Sequence, residues 1–159
     1  MRIGILTVSD LGAQGRREDT SGDTIAAWAS RRGYDVMVRS VVPDETNLIV
    51  SKLTRWADSG EVDVVLTTGG TGLSERDVTP EATVAAIERP VPGIAEALRA
   101  RGAKGFPRAW LSRGIAGIRG QTLIVNLAGS PGAVKDALPV LDGLLEHAVS
   151  ILRGEPTDH

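Results

Sequence analysis

The chain has 159 residues, 42% of them hydrophobic, and a net charge of −2, a length and balance suited to one domain around one core. No apolar run approaches the roughly 20 residues that a bilayer requires, and MRIGILTVSD turns polar too early for a secretory signal, so a cytoplasmic protein with no membrane partner is expected. Without cysteine there is no disulfide framework, thiolate nucleophile or soft metal site.

In chain order, Ile3 to Val8 reads as the first β-strand. It is followed by SDLGAQGRREDTSGDT, an ordered polar loop before a helix, with Ser9, Asp10, Asp19, Thr20, Ser21 and Gly22 as its notable side chains and turn residue. Val36 to Val42 reads as a second strand, and VVPDETN then sets Asp44 between that strand and a helix. In Thr46 to Ala57 the apolar residues Ile49, Leu53, Trp56 and Ala57 recur at i, i+4, i+7 and i+8, the spacing of one helix face. Val62 to Leu66 is a third strand, ending at TTGGTGLSERDVTPEAT, in which Thr79 reads as a helix N-cap and Pro80 as its first helical residue.

Arg101 to Gly120 is the least regular stretch, and its glycines predict loop or turn. Thr122 to Leu127 is the fourth strand. Its loop, NLAGSPGAV, puts Gly129, Ser130 and Pro131 at a helix start with Ser130 as N-cap. Pro131 to Leu152 is helical in period, with Pro139 expected to kink it or mark an offset. One domain is expected over residues 1–153, with a frayed tail at 154–159. His147 falls in the last helical pattern and His159 ends the chain, so both read as bystanders. Strands alternating with helices predict an α/β fold with a mainly parallel sheet covered on both faces.

Charge is unevenly placed. From Ala97 to Lys135 there is no acid, while Arg99, Arg101, Lys104, Arg108, Arg113, Arg119 and Lys135 fall in that window. This is either a solvated basic face or an anion-binding surface. Nucleic acid is a poorer match than a small anion, because the chain is mildly acidic and has only three Trp, one Tyr and one Phe for base stacking.

Glycines just past a strand's carboxyl end let backbone N–H groups approach an anion without an intervening Cβ. Gly69, Gly70 and Gly72, with Thr67, Thr68 and Thr71, therefore make a candidate phosphate cradle; a tight turn with no ligand is the plain alternative. The stretch is not a Walker A loop, since no Lys-Ser/Thr follows it, and Glu75 stands where the dinucleotide fingerprint needs glycine. Asp77 lies between the glycines and a helix start, where a carboxylate can hold Mg²⁺ against phosphate or simply bond turn amides. Asp44 and Ser130 in isolation read as capping residues, but parallel strands deliver their loops to one sheet edge, where they can share a ligand.

Taken together, GILTVSD, DTSGD, VVPDE, TTGGTG followed by RDVTPEAT, and LSRGIAGIRGQTLIVNLAGSPGAV resemble the MogA/MoaB-type molybdopterin adenylyltransferases from Ile3 to about Leu152. The resemblance implies a single-domain, three-layer α/β/α sandwich of the MogA-like fold, assembled as a homotrimer. It implies molybdopterin and ATP as substrates with Mg²⁺, attack of the pterin's terminal phosphate on the α-phosphate of ATP, and contact with a molybdate-insertion enzyme. Carried over by position, Thr68, Gly69, Gly70, Thr71 and Gly72 would cradle phosphate, while Asp44 and Asp77 would be the catalytic acids and metal holders. Ser112, Arg113, Gly114, Gly129, Ser130 and Pro131 would line the substrate pocket, and Ser9, Asp10, Thr20, Ser21 and Gly22 the nucleotide side. Ala128 departs from the family, which often has Pro-Gly before the last loop's Ser-Pro. A non-catalytic MoaB-like pterin carrier or scaffold and a competence-damage-type nucleotide hydrolase are the alternatives.

Overall fold

The computed structural model describes residues 1 to 156. The elements run β1 (Arg2–Val8), α1 (Asp10–Ala13), α2 (Thr20–Arg31), β2 (Asp35–Val42), α3 (Thr46–Asp58), β3 (Val64–Thr68), α4 (Thr79–Ala86), β4 (Arg89–Pro90) and α5 (Pro92–Ala103). A 3-10 turn at Pro107–Leu111, then β5 (Ala116–Arg119), β6 (Thr122–Leu127), α6 (Pro131–Asp142) and α7 (Leu145–Leu152) complete the chain. Among the described residues no helix is long and apolar enough to cross a membrane.

The sheet order is β2-β1-β3-β6-β5-β4. The first four strands are mutually parallel, and β5 runs antiparallel to both β6 and β4. Alternate side chains of the inner strands feed two cores. Ile3, Ile5, Val64, Leu66, Leu123 and Val125 pack with residues of α2, α5, α6 and α7. Leu6, Val8, Val65 and Ile124 pack with α3 and α4. Burial on both faces is why these strands read as continuous apolar runs rather than as alternating ones. The result is a three-layer sandwich with a mainly parallel sheet.

Helices α2 and α3 lie on opposite faces, and the connection from β2 to β3 passes over β1. The carboxyl ends of β1 and β3 therefore flank a topological switch point, where open α/β sheets form a crevice. The loops after β1, β2, β3 and β6 all open there.

Four local expectations need correction. The third strand is displaced to Val64–Thr68, because Thr67 and Thr68 pair with β1 on one side and β6 on the other. The expected loop from Arg101 to Gly120 holds the end of α5, the 3-10 turn and β5; hydrogen bonding to β6 makes a strand of the glycine-containing AGIR. Pro139 sits inside α6, and the long helix instead divides after Asp142, at Gly143 and Leu144. Thr20 to Gly22 are the first turn of α2, capped by Asp19, rather than loop. At the C-terminus, the Gly154 and Glu155 amides donate to Ile151 and Ser150; the rest of the expected tail, residues 157–159 with His159, lies outside the described residues.

The end of the sheet away from the crevice is pinned by Asp63, only 4% exposed, which pairs with Arg2 and Arg153 at 2.8 and 2.7 Å. Its Oδ2 also accepts the Arg2 N–H at 2.7 Å. Burial by itself would raise the Asp63 pKa, but the two guanidinium groups and this amide hold it well below the usual carboxylate range. Both arginines are 38% exposed, which screens the pairs and lowers their worth relative to a fully buried network. Asp63→Asn should cost about 2 kcal/mol of unfolding free energy in urea titrations at neutral pH. A group with a depressed folded pKa stabilises above its unfolded value, so the gap between wild type and variant should persist above about pH 4 and close as pH falls through the folded value.

Candidate active site

The loop after β3 is held by its carbonyls. Thr79 Oγ1 donates to the Gly69 carbonyl at 2.9 Å, and the Thr79 amide donates to that of Gly70 at 3.1 Å. From the other side, the Arg113 amide donates to the Thr71 carbonyl and its Nε to that of Gly72, both at 2.8 Å. Four consecutive carbonyls are thereby occupied, whereas the N–H groups of Gly70, Thr71 and Gly72 meet no protein acceptor among the described residues. A row of amides without protein acceptors at a strand's carboxyl end is the arrangement that an anion cradle requires.

The glycines are required by contact as well as by conformation. Gly69 and Gly70 have φ of 98° and 67°, and a Cβ on Gly69 would lie 2.2 Å from the Val8 carbonyl oxygen. On Gly70 it would meet Thr79 Oγ1 at 2.3 Å, and on Gly72 it would meet Asp77 Oδ2 at 2.8 Å. The loop thus presses against β1, against α4 and against a carboxylate at once.

Two acids bracket it. Asp77 Oδ2 accepts the Ser74 N–H at 3.0 Å. Asp44 and Asp10 exchange bonds: the Asp10 amide donates to Asp44 Oδ2 at 2.9 Å and the Asp44 amide to Asp10 Oδ1 at 3.0 Å. Asp44 therefore does not cap α3, whose N-cap Glu45 makes no side-chain cap bond. Arg76 makes a two-pronged pair with Asp10, at 3.0 and 2.7 Å. Burial raises the Asp44 pKa and the charges of Asp10 and Asp77 add to the rise, against the Asp10 amide, which lowers it; Arg76 lowers that of Asp10. Asp44 Oδ1 and Asp77 Oδ1 receive no hydrogen bond from the described residues.

Two cavities meet at this loop. One, of about 810 Å³, lies between α5 and α6 and reaches Thr71, Gly72, Ser112 and Gly114. The other, of about 600 Å³, is lined by Ser9, Asp10, Thr20, Ser21, Asp44, Thr68, Gly69 and Pro131. Gly70, Asp77, Gly129 and Ser130 belong to both. Of the residues expected at the site, Arg113 and Gly22 line neither cavity. The Arg113 guanidinium instead grips the Gly72 and Asp77 carbonyls and the Glu81 carboxylate, and the Gly22 amide donates to Asp19. Ser21 Oγ donates to the Gly129 carbonyl at 2.7 Å, fastening α2 to the loop after β6, while Ser130 caps α6 as expected by accepting the Ala133 N–H. His147 lines neither cavity.

Thr79 carries the largest correction. It is the first residue of α4, with Val78 as N-cap, and its fully buried side chain holds the glycine loop rather than the helix end. Arg76 and Asp136 also gained no notice from spacing, and no local pattern marks them. Arg99 and Arg108 line the larger cavity, and the acid-free window is the signal that pointed to them.

The cavities differ in charge. The smaller is lined by Asp10, Glu18, Asp19, Asp44 and Asp77 against Arg17 alone, a field that repels a polyphosphate unless a cation accompanies it. No three of the His, Cys, Asp and Glu side chains among the described residues stand close enough to hold an ion by themselves. The chemistry of the donor set still fits Mg²⁺, which binds through one or two carboxylates and completes its shell with phosphate oxygens and water.

Residues 4–147 match a family model described as "Probable molybdopterin binding domain". The chain is 36% identical over 156 residues to the molybdopterin adenylyltransferase of Helicobacter pylori strain 26695, covering 97% of this chain and 89% of that protein. It is 41% identical over 151 residues to the molybdenum cofactor synthesis protein cinnamon of Drosophila melanogaster, matching 94% of this chain but spanning only 25% of that relative's length. The crystal structure of the molybdopterin biosynthesis enzyme MoaB from Thermus thermophilus has a TM-score of 0.91 at 46% identity, with 99% of each chain covered.

Gly69→Ala tests the loop's geometry. Positive φ and the contact with Val8 should together cost roughly 2 kcal/mol or more in chemical denaturation. Gly93→Ala, in α5 with nothing within 4 Å of its Cβ position, should be neutral or stabilising by up to about 1 kcal/mol.

Proposed function

Because the chain belongs to the molybdopterin-binding domain family matched over residues 4–147, we propose that it is a molybdopterin adenylyltransferase of molybdenum cofactor biosynthesis. The observation that carries this reading is the meeting of two cavities at one cradle of unbonded amides. A reaction that joins a pterin phosphate to a nucleotide phosphate needs two ligands end to end, with their phosphates in one place. The larger cavity, walled mainly by aliphatic side chains and glycine, takes the pterin; the smaller and acidic one takes ATP.

In the transfer, an oxygen of the pterin's terminal phosphate forms a bond to the α-phosphorus of ATP, the bond from that phosphorus to the β-phosphate bridge breaks, and pyrophosphate leaves. No protein nucleophile is needed. The protein's contribution to such a step is positioning and charge stabilisation. The amides of Gly70, Thr71 and Gly72 hold phosphate oxygens, and Thr79 and Arg113 keep the loop from yielding as charge develops. Asp44 and Asp77 stand beside the cradle, each with a carboxylate oxygen available to a cation. Mg²⁺, bound there with the nucleotide, would neutralise phosphate charge in the acidic cavity.

Arg76 fixes Asp10, and Asp10 in turn fixes Asp44, so the acid nearest Gly70 is oriented by a guanidinium outside the cavity. The same reading carries a homotrimer, a cytoplasmic setting and delivery of adenylylated molybdopterin to a molybdate-insertion enzyme; sedimentation of the purified chain checks the first of these.

Purified protein should release pyrophosphate only when Mg²⁺, ATP and molybdopterin are all present, and a folded protein that binds the pterin yet stays silent would be a carrier instead. Asp44→Asn and Asp77→Asn should each keep the fold and lower turnover at least about tenfold, equivalent to roughly 1.4 kcal/mol of barrier. Unchanged turnover in either variant would remove that acid from the site.

A further inference from the structure

The larger cavity is a slot whose two helical walls carry mostly small side chains. Ala95, Leu98 and Gly102 from α5 face Ala133 and Ala137 from α6 across it, positions three, four or seven apart that share one face of each helix. Small side chains on both walls leave room for a flat ring system edge-on between two helices. The slot's carboxylates are Asp77, at the junction with the acidic cavity, and Asp136 on α6. Asp136 is exposed, and its side chain makes no hydrogen bond or ion pair with the described residues. At 1.5 Å per residue it lies about 9 Å along α6 from Ser130, which stands at the junction.

We infer that Asp136 is a specificity-determining residue that reads the amino-pyrimidine edge of the ring system in this slot. The inference rests on the reading of the slot as the pterin side. A ligand whose phosphate occupies the cradle at Gly70 to Gly72 must extend its fused rings away from the junction and along α6. A 2-amino-4-oxo pyrimidine ring ends in two parallel N–H donors, the 2-amino group and N3–H. An ionised carboxylate is acceptor-only, with two oxygens side by side, and matches that edge in a two-pronged, charge-assisted pair. It rejects the corresponding 2-oxo ring, which presents an oxygen to an oxygen. Arg99 and Arg108 are the cations of the same slot. Arg99 Nη1 is occupied by the Ser112 and Gly114 carbonyls, and neither arginine is ion-paired to Asp136.

The test uses pterin fluorescence on the intact chain, so it does not depend on turnover. 6-Hydroxymethylpterin and its 2-oxo analogue, 6-hydroxymethyllumazine, are titrated into wild type, Asp136→Asn and Asp136→Ala. Saturating molybdopterin is added as competitor, and melting temperatures confirm folding. Wild type should prefer the 2-amino compound about ten- to hundredfold, and both variants should lose most of that preference while still binding the 2-oxo compound. A preference that survives in both variants would overturn the role of Asp136 and leave the pterin slot standing. Equal binding of the two compounds by wild type would do the same. Failure of molybdopterin to displace either compound would overturn the slot reading, and with it the inference.

Discussion

The site depends on one constraint: the carbonyls of Gly69 through Gly72 are all turned to the protein, which leaves the amides of Gly70 through Gly72 without an acceptor among the described residues. Each carbonyl has a donor from Thr79 or Arg113, and these two residues come from opposite sides of the loop. A glycine run without such anchors would be among the most flexible parts of a chain. Anchored, it is a rigid set of dipoles, and preorganised donors stabilise charge without reorganising as a reaction proceeds. The Gly69 amide adds a third anchor by donating to the Leu127 carbonyl at 3.1 Å, which ties the loop to β6, and its missing side chain lets the loop lie against Val8 of β1.

The electrostatics follow from the same placement. The loop after β3 separates a slot with two arginines and two acids from a cavity with five acids and one arginine. Asp77 and Gly70 belong to both spaces, so the boundary between them is the proposed anion cradle. Asp44 is raised by burial and by its acidic neighbours, and the opposing amide of Asp10 limits that rise. Acids of this kind are costly to the fold and are suited to holding a cation that arrives with phosphate.

The parallel part of the sheet was legible because its strands are buried on both faces and read as unbroken apolar runs. The converging strand ends followed from that, and so did Asp10, Asp44, Gly70 and Ser130 as neighbours. Strand β5 was not legible, since Ala116 to Arg119 is short, contains glycine, and becomes a strand only by pairing with β6. The roles of Thr79 and Arg113 were hidden for a different reason. Thr79 has the spacing of an N-cap, and Arg113 lies in a basic window that suggests direct anion contact, but tertiary hydrogen bonds to the glycine loop engage both. Which side chain holds a loop and which meets a ligand is decided by contacts across 10 to 41 residues of sequence, a range that local pattern does not encode.

The most direct measurement is a crystal structure of the chain with adenylylated molybdopterin, the molecule proposed to span both cavities. The expected result is the bridging diphosphate on the amides of Gly70, Thr71 and Gly72, with the pterin between α5 and α6 and the adenosine beside Asp10 and Ser21. A diphosphate bound away from those amides, or both rings lodged in the same cavity, would contradict the assignment of the glycine loop as the meeting point of the two substrates.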